Sequence, residues 1–175
     1  MTRLIFIITF ITNIVLIIIS LIILPSRMAI HFGLYGMPDS WAPNYIHALI
    51  SLGLDTLLFC AMFYSPRLIF IFPKRWINLP HKDYWLTEEN IPQTKTLVSS
   101  LMWEFGIALF LFLLAAGLFT IHANLSVPVK LNEKLFFVAF IFFMVYTVYW
   151  CIKFFRAFKV PKDANNTNKH HMNNE

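Results

Sequence analysis

The sequence predicts an all-α fold, a bundle of four transmembrane helices with short outer loops and one larger basic inner loop. The first observation is composition: 58% of the 175 residues are hydrophobic and 13% are charged, against roughly 45–50% and about 25% in soluble domains. The second is that the apolar residues gather in four blocks, each long enough to cross about 30 Å of hydrocarbon as a helix. The third is that lysine and arginine are concentrated on alternate sides of these blocks.

The four blocks cover residues 4–24, 45–64, 97–121 and 135–155. They are apolar on every side, whereas a barrel strand alternates inward and outward residues over about 10 positions. Helices and closed barrels are the structures that satisfy every backbone N–H and C=O in lipid, so we predict four helices in a domain over residues 1–160. The first block exceeds the ~7–15 residues of a signal-peptide core and is predicted to be retained. The polar tail, 161–175, is predicted to be disordered and cytoplasmic.

The distribution of basic residues predicts the orientation. Most of the 14 lysines and arginines lie at the N-terminus, in the loop between the second and third blocks, and in the tail. Basic residues stay on the cytoplasmic side of a membrane, so both termini are predicted to be cytoplasmic. The net charge of +5 then follows from topology and attraction to anionic headgroups. The lipid bilayer is therefore a predicted partner, and no nucleic acid is needed to explain the charge.

The outer loop, 25–44, carries the first candidate site. Apolar residues alternate at Met28, Ile30 and Phe32, which predicts a short strand, and the glycine and proline of 36–39 predict a turn. Four side chains in this loop are predicted to form a polar and aromatic cap that binds a ligand, a membrane partner or a peptide: Arg27, His31, Asp39 and Trp41. The alternative is a loop that only seals the helix ends.

The inner loop, 65–96, is the largest stretch outside the blocks. An apolar run ends at Pro73 and is followed by Lys74, Arg75 and Trp76, a combination typical of a segment lying at the level of the headgroups. Pro92 is predicted to sit in the first turn of the third helix, where its missing N–H costs little.

A second candidate set consists of polar residues within the blocks: Asn13, His47, Ser51, Asp55, Glu104 and Lys153. A carboxylate at the bilayer centre costs about 2.5–3.5 kcal/mol on insertion scales, so each must face the bundle interior, be protonated or find a partner. We predict that Asp55 meets Asn13, because both lie near mid-membrane. We also predict an ion pair between Glu104 and Lys153.

Spacing gives the second block a polar face. His47, Ser51 and Asp55 recur every four residues and share one side of the helix. The functional interpretation is a proton or ion path along this face in a small oligomeric conductor, since histidine titrates near neutral pH. The alternative is interhelical hydrogen bonding that only stabilises the bundle, worth about 0.6 kcal/mol per bond.

Motifs for catalysis do not emerge. The sequence has no Gly-rich phosphate loop, His-Glu-x-x-His helix or Cys-x-x-Cys pair, and no Gly-x-Ser-x-Gly elbow. The outer side gathers His31, Asp39, His47 and His122, but their spacing matches no zinc-ligand pattern. We therefore predict that the protein is not an enzyme and needs no metal or cofactor.

The outer loop also resembles a family signature, in which Leu-Pro is followed by Pro-x-His-Phe, a glycine turn and Asp-x-Trp. The corresponding residues here are Leu24, Pro25, Arg27, His31, Phe32, Gly36, Pro38, Asp39 and Trp41. They resemble bacterial membrane proteins that carry domain of unknown function 1648. The runs 78–86 and 123–125 are similar to later stretches of its short, four-span members. Ala29, Gly33 and Ser40 depart from the signature, Ala29 standing where the family usually has proline, which predicts a less rigid loop.

This resemblance implies a multi-pass protein of the bacterial inner (plasma) membrane. The relatives include immunity proteins against a sporulation-delaying toxin, which also take part in signalling. We therefore predict a binding, signalling or immunity-type membrane module in which the outer loop binds and the basic inner loop reports. The alternative is the small oligomeric proton or ion conductor using Asp55.

Overall fold

The computed structural model describes residues 1–160 and is dominated by four helices. These are α1 (Thr2–Ile23), α2 (Asn44–Leu68), α4 (Ile91–Leu125) and α5 (Glu133–Ala157), with a single-turn helix α3 (Lys82–Trp85) in the inner loop. Each of the four is long and apolar enough to cross a membrane. The prediction of four apolar helices is confirmed. The predicted disorder of 161–175 lies outside the described residues.

Helix α4 differs most from its predicted block, 97–121. It begins at Ile91 and ends at Leu125, and Pro92 occupies its first turn as expected. Its 35 residues give a length of about 52 Å at 1.5 Å per residue, well beyond about 30 Å of hydrocarbon. Hydropathy marks where a helix leaves the apolar layer, whereas the helix itself continues through polar residues until its backbone hydrogen bonding ends.

A small antiparallel hairpin makes the fold depart from a strictly all-α protein. Strand β1 (Arg27–Phe32) contains the predicted alternation, and β2 (Pro38–Pro43) pairs with it, with register shifts around His31. The turn prediction is correct for Gly36 and wrong for Pro38 and Asp39, which already belong to β2. The turn closes earlier because Tyr35 and Gly36 both adopt positive φ, 60° and 70°.

Helix α1 is packed against both α2 and α4, and α5 packs against α4. The three helices meet around Phe6 of α1, which is fully buried and stacks on Phe59 of α2. A Cβ placed on Gly106 would lie 2.4 Å from the Phe6 ring, so glycine is required there for α1 to reach α4. The three-helix core α1–α2–α4 is therefore set by an aromatic ring against a glycine.

The inner loop folds into a compact inner cap, which we define as residues 70–90. Ile77, Leu79, Trp85 and Leu86 are buried in one apolar cluster with residues from α4 and the end of α5. The indole Nε1 of Trp85 donates to the carbonyl oxygen of Phe158 at 2.9 Å. The cap is thus attached to both α4 and α5.

Candidate functional site

A mainly apolar cavity with several polar side chains in its wall lies between α1, α2 and α4. It has a volume of about 160 Å³ and contains polar side chains from all three helices: Asn13, Ser20, His47, Ser51, Asp55 and Thr120. The rest of its lining is aliphatic or glycine. Four of the six predicted intramembrane residues are therefore brought around one space.

Helical spacing explains the convergence. On α2, His47, Ser51 and Asp55 follow one another at four-residue steps, and all three line the cavity. Thr120 completes the wall from α4 and was missed by the sequence reasoning. It lies three residues after Gly117, where an added Cβ would be 2.9 Å from Leu16. That glycine lets α4 approach α1, and this long-range contact aims Thr120 inward.

Asp55 is a buried carboxylate in the wall of this cavity. It is 4% exposed, and among residues 1–160 its carboxylate forms neither a hydrogen bond nor a salt bridge with another side chain. A buried carboxylate requires a partner or a proton. A cavity of about 160 Å³ has room for several waters, since one needs about 10–15 Å³ of this kind of volume. The carboxyl group of Asp55 can therefore be satisfied by protonation, or by a water or a small cation bound in the cavity.

Asn13 and Asp55, the two residues predicted to meet, line the same cavity, but the amide nitrogen of Asn13 donates to other groups. The amide Nδ2 of Asn13 donates to the carbonyl oxygens of Thr9 and Phe110, both at 2.9 Å. The close approach of α1 and α4 brings the Phe110 carbonyl within reach, so the amide joins these two helices. Asn13 and Asp55 share the cavity wall without hydrogen bonding to each other.

The predicted pair of Glu104 and Lys153 is present but separate from the cavity. The ammonium Nζ of Lys153 lies 2.5 Å from Oε2 of Glu104, joining α5 to α4. The pair is only partly buried. Trp150 adds a second link between the same helices, because its Nε1 donates to the Leu101 carbonyl at 3.0 Å. These two contacts hold α5 against α4.

The hairpin is attached to the bundle by a side-chain amide. Nδ2 of Asn124 donates to the Ala29 carbonyl at 3.0 Å, and its Oδ1 accepts from the Ala29 N–H at 2.7 Å. Both residues are buried. A proline at position 29 has no N–H to give, so alanine adds a hydrogen bond here. These bonds hold the backbone of Ala29 in place, and the less rigid loop stays a prediction.

A second attachment fixes the turn of the hairpin. The N–H of Leu131 donates to the Gly36 carbonyl at 2.9 Å. A Cβ on Gly36 would meet the Leu131 carbonyl oxygen at 2.1 Å, so a glycine is needed both for the contact and for the positive φ. The hairpin therefore contacts the bundle at its strand and at its turn.

The four residues predicted to bind a partner at the outer loop all lie on this hairpin and are exposed. Nδ1 of His31 and Oδ1 of Asp39 are 2.5 Å apart across the strands. Asp39 and Trp41, two residues apart on β2, project from the same face, and Trp41 is 42% exposed. Arg27 pairs with Pro43 at the start of the hairpin. Within residues 1–160 no group of three or more His, Cys, Asp or Glu side chains converges.

The sequence reasoning missed an apolar tip next to these residues. Leu34 is 85% exposed, Tyr35 74% and Met37 50%. Turns are usually rich in glycine, proline and polar residues, so three large apolar side chains in one turn were the signal available in the sequence. Together with Trp41 they give the outer hairpin an apolar surface.

The α1–hairpin–α2 arrangement coincides with a known domain. Residues 4–53 match the family model described as domain of unknown function (DUF1648). The match supports this domain family for the segment that holds α1, the hairpin and the first turns of α2. The resemblance seen in the outer loop is confirmed to that extent, and the runs 78–86 and 123–125 lie outside the matched residues. No curated protein and no solved structure matched the chain.

Proposed function

We propose that this is a multi-pass protein of the bacterial plasma membrane with both termini in the cytoplasm. Four helices of suitable length and hydropathy support the membrane placement. An even number of crossings leaves the two ends on the same side. The concentration of lysine and arginine at the N-terminus, in the α2–α4 loop and in the tail supports the cytoplasm as that side. The hairpin then lies at the outer surface.

On this membrane, we propose that the protein is a binding and signalling module whose outer hairpin is the partner site. The observation that carries the proposal is a hairpin attached by Asn124 and Leu131 that nevertheless exposes Trp41, Tyr35 and Leu34. A pre-organised surface loses little conformational entropy on binding. Exposed aromatic anchors are the residues that dominate interface energies.

The chemistry of this surface suggests its partner. A contiguous apolar tip beside the His31–Asp39 pair suits a membrane-active peptide or the outer part of another membrane protein. The DUF1648 resemblance points the same way, because an immunity-type role requires recognition of such a peptide. The hairpin is also attached to the helix ends that it connects. The side-chain amide of Asn44, the first residue of α2, donates to the Leu24 carbonyl at the end of α1 at 3.3 Å.

Co-purification from native membranes in a mild detergent tests the module. The matched control for Trp41→Ala is Trp76→Ala, because Trp76 is an exposed tryptophan of the inner cap, 65% accessible. We expect one peptide or membrane protein, identified by mass spectrometry, to be retained by wild type and by Trp76→Ala and lost with Trp41→Ala. Equal retention by all three proteins would remove the hairpin as the partner site.

The cavity favours a second candidate, a small oligomeric proton or cation conductor. The supporting observation is the buried Asp55 beside His47 and Ser51 in a space large enough for water. In proteoliposomes Asp55→Asn should reduce flux at least about tenfold. Glu104→Gln should preserve it, because Glu104 lies outside the cavity. Flux that is absent in wild type, or unchanged by Asp55→Asn, rules out this candidate.

A further inference from the structure

The inner cap contains a basic cleft away from both candidate sites. It is lined by Lys74, Arg75 and Lys82 together with Asp83, Leu86 and Thr87, and its volume is about 340 Å³. Three bases and one acid give the walls a net positive charge. Among residues 1–160, Lys153 is the lysine or arginine that pairs with a carboxylate, so the three bases of the cleft form no ion pair there.

The cap holds these bases on a fixed frame. Lys74 and Arg75 lie in a short helical turn closed by the Trp76 N–H donating to the Pro73 carbonyl at 2.9 Å. Ile77, which follows the turn, is buried in the apolar cluster. Lys82 begins α3, whose last residue, Trp85, is buried in the same cluster. Both sides of the cleft are therefore anchored by neighbouring buried residues.

An apolar rim stands beside the cleft. Ile71 is 75% exposed, Phe72 53% and Trp76 65%. The Phe72 and Trp76 rings stack with centroids 6.3 Å apart, and the Arg75 guanidinium lies 5.8 Å from the Trp76 ring. These residues follow within a few positions of the end of α2. Exposed aromatic and basic side chains at a helix end are typical of the membrane–water interface.

We infer that this cleft binds the headgroup of an anionic phospholipid. Lys74, Arg75 and Lys82 would hold the phosphodiester, and Phe72 and Trp76 would pack against the glycerol and upper acyl chains. A soluble phosphate could use the bases but would leave the apolar rim in water, which is why the cleft fits a lipid better. This inference rests on the proposed membrane placement and is independent of the partner at the outer hairpin.

Native mass spectrometry of delipidated protein in a neutral detergent tests the site. Phosphatidylglycerol is the probe and phosphatidylcholine the neutral comparison. The variant is Lys74→Gln with Lys82→Gln. The matched control is Lys95→Gln with Lys159→Gln, which removes the same charge from two exposed lysines elsewhere on the inner side. Each basic residue near an anionic lipid is worth about 1 kcal/mol, roughly fivefold in affinity.

We expect wild type and the control to retain phosphatidylglycerol over phosphatidylcholine, and the cleft variant to bind phosphatidylglycerol roughly 25-fold more weakly. Asp83→Asn should bind it more tightly, because the acid on the wall is removed. Equal losses in the cleft variant and the control would mean that general surface charge binds the lipid. Displacement of the lipid by millimolar inorganic phosphate would mean a soluble-anion site. Either result overturns the inference.

Discussion

Two carboxylates within the apolar helices, Glu104 and Asp55, have opposite surroundings in the same bundle. Glu104 lies partly exposed between α4 and α5, with the Lys153 ammonium 2.5 Å away. Asp55 is 4% exposed and faces a cavity whose wall combines aliphatic side chains with hydroxyl, amide and imidazole groups and includes neither lysine nor arginine. The charge of Glu104 is neutralised by a lysine on the neighbouring helix. Asp55 needs a proton, a water or a cation in the cavity.

The difference predicts a structural role for Glu104 and fits the proposed role of Asp55 in the cavity. A carboxylate paired with lysine across two helices makes the fold depend on it, because removing one partner leaves the other charge in the apolar layer. A buried carboxyl group without a protein partner contributes little to folding, and it needs a ligand, a proton or water to satisfy it. Stability measurements on the two residues should therefore give opposite signs.

The largest expected stability effect is at the pair. Glu104→Leu leaves the Lys153 ammonium without its partner and should lower the free energy of unfolding by about 1–2 kcal/mol, since the pair is partly exposed and intramembrane polar contacts reach at most ~1.7 kcal/mol. Detergent-induced unfolding followed by circular dichroism measures this. The exchange of Glu104→Lys with Lys153→Glu should restore most of the loss. An exchange variant as unstable as Glu104→Leu would contradict a pairwise role.

A smaller effect of opposite sign is expected at Asp55. Asp55→Leu removes a buried carboxyl group that has no protein partner and fills part of the cavity, so it should raise the free energy of unfolding by about 1 kcal/mol. The same unfolding assay applies, with Asp55→Asn as the near-isosteric control. A loss of stability in Asp55→Leu comparable to that in Glu104→Leu would show that Asp55 supports the fold and would weaken the cavity as a site.

The smallest effect is expected at Asn13, the side chain predicted to meet Asp55. Asn13→Leu removes the hydrogen bond to the Phe110 carbonyl and should cost about 0.6 kcal/mol, the average for interhelical bonds in a membrane protein. If Asn13 acts only between α1 and α4, its effect should add to that of Asp55→Leu. A double variant that departs from additivity by more than about 0.5 kcal/mol would indicate direct coupling across the cavity.

Much of the architecture followed from local patterns. Hydropathy located the four helices, alternation located β1, and four-residue spacing placed His47, Ser51 and Asp55 on one face. These features depend on residues close in sequence, where helix and strand periodicity is fixed by backbone geometry. The Glu104–Lys153 pair could also be predicted, because the sequence places these two opposite charges at a similar depth in their helices.

Features set by packing were not accessible. The Asn13 amide finds Phe110 because Phe6 fits over Gly106, and Thr120 reaches the cavity because Gly117 lets α4 approach Leu16. Such rotations of one helix against another depend on side-chain fit between distant parts of the chain. The packing of the inner cap could not be predicted for the same reason, because Trp85 contacts Phe158, which is far away in the sequence.

The side-chain amide of Asn124 bonds both backbone groups of Ala29. The matched domain therefore depends on a residue outside its own segment. The DUF1648 segment ends at residue 53, yet its hairpin is secured from α4 and from the connection to α5. A chimera that moves residues 4–53 onto another protein would leave the N–H and C=O of Ala29 without their partner. The smallest transplantable piece of this protein must therefore include the third long helix.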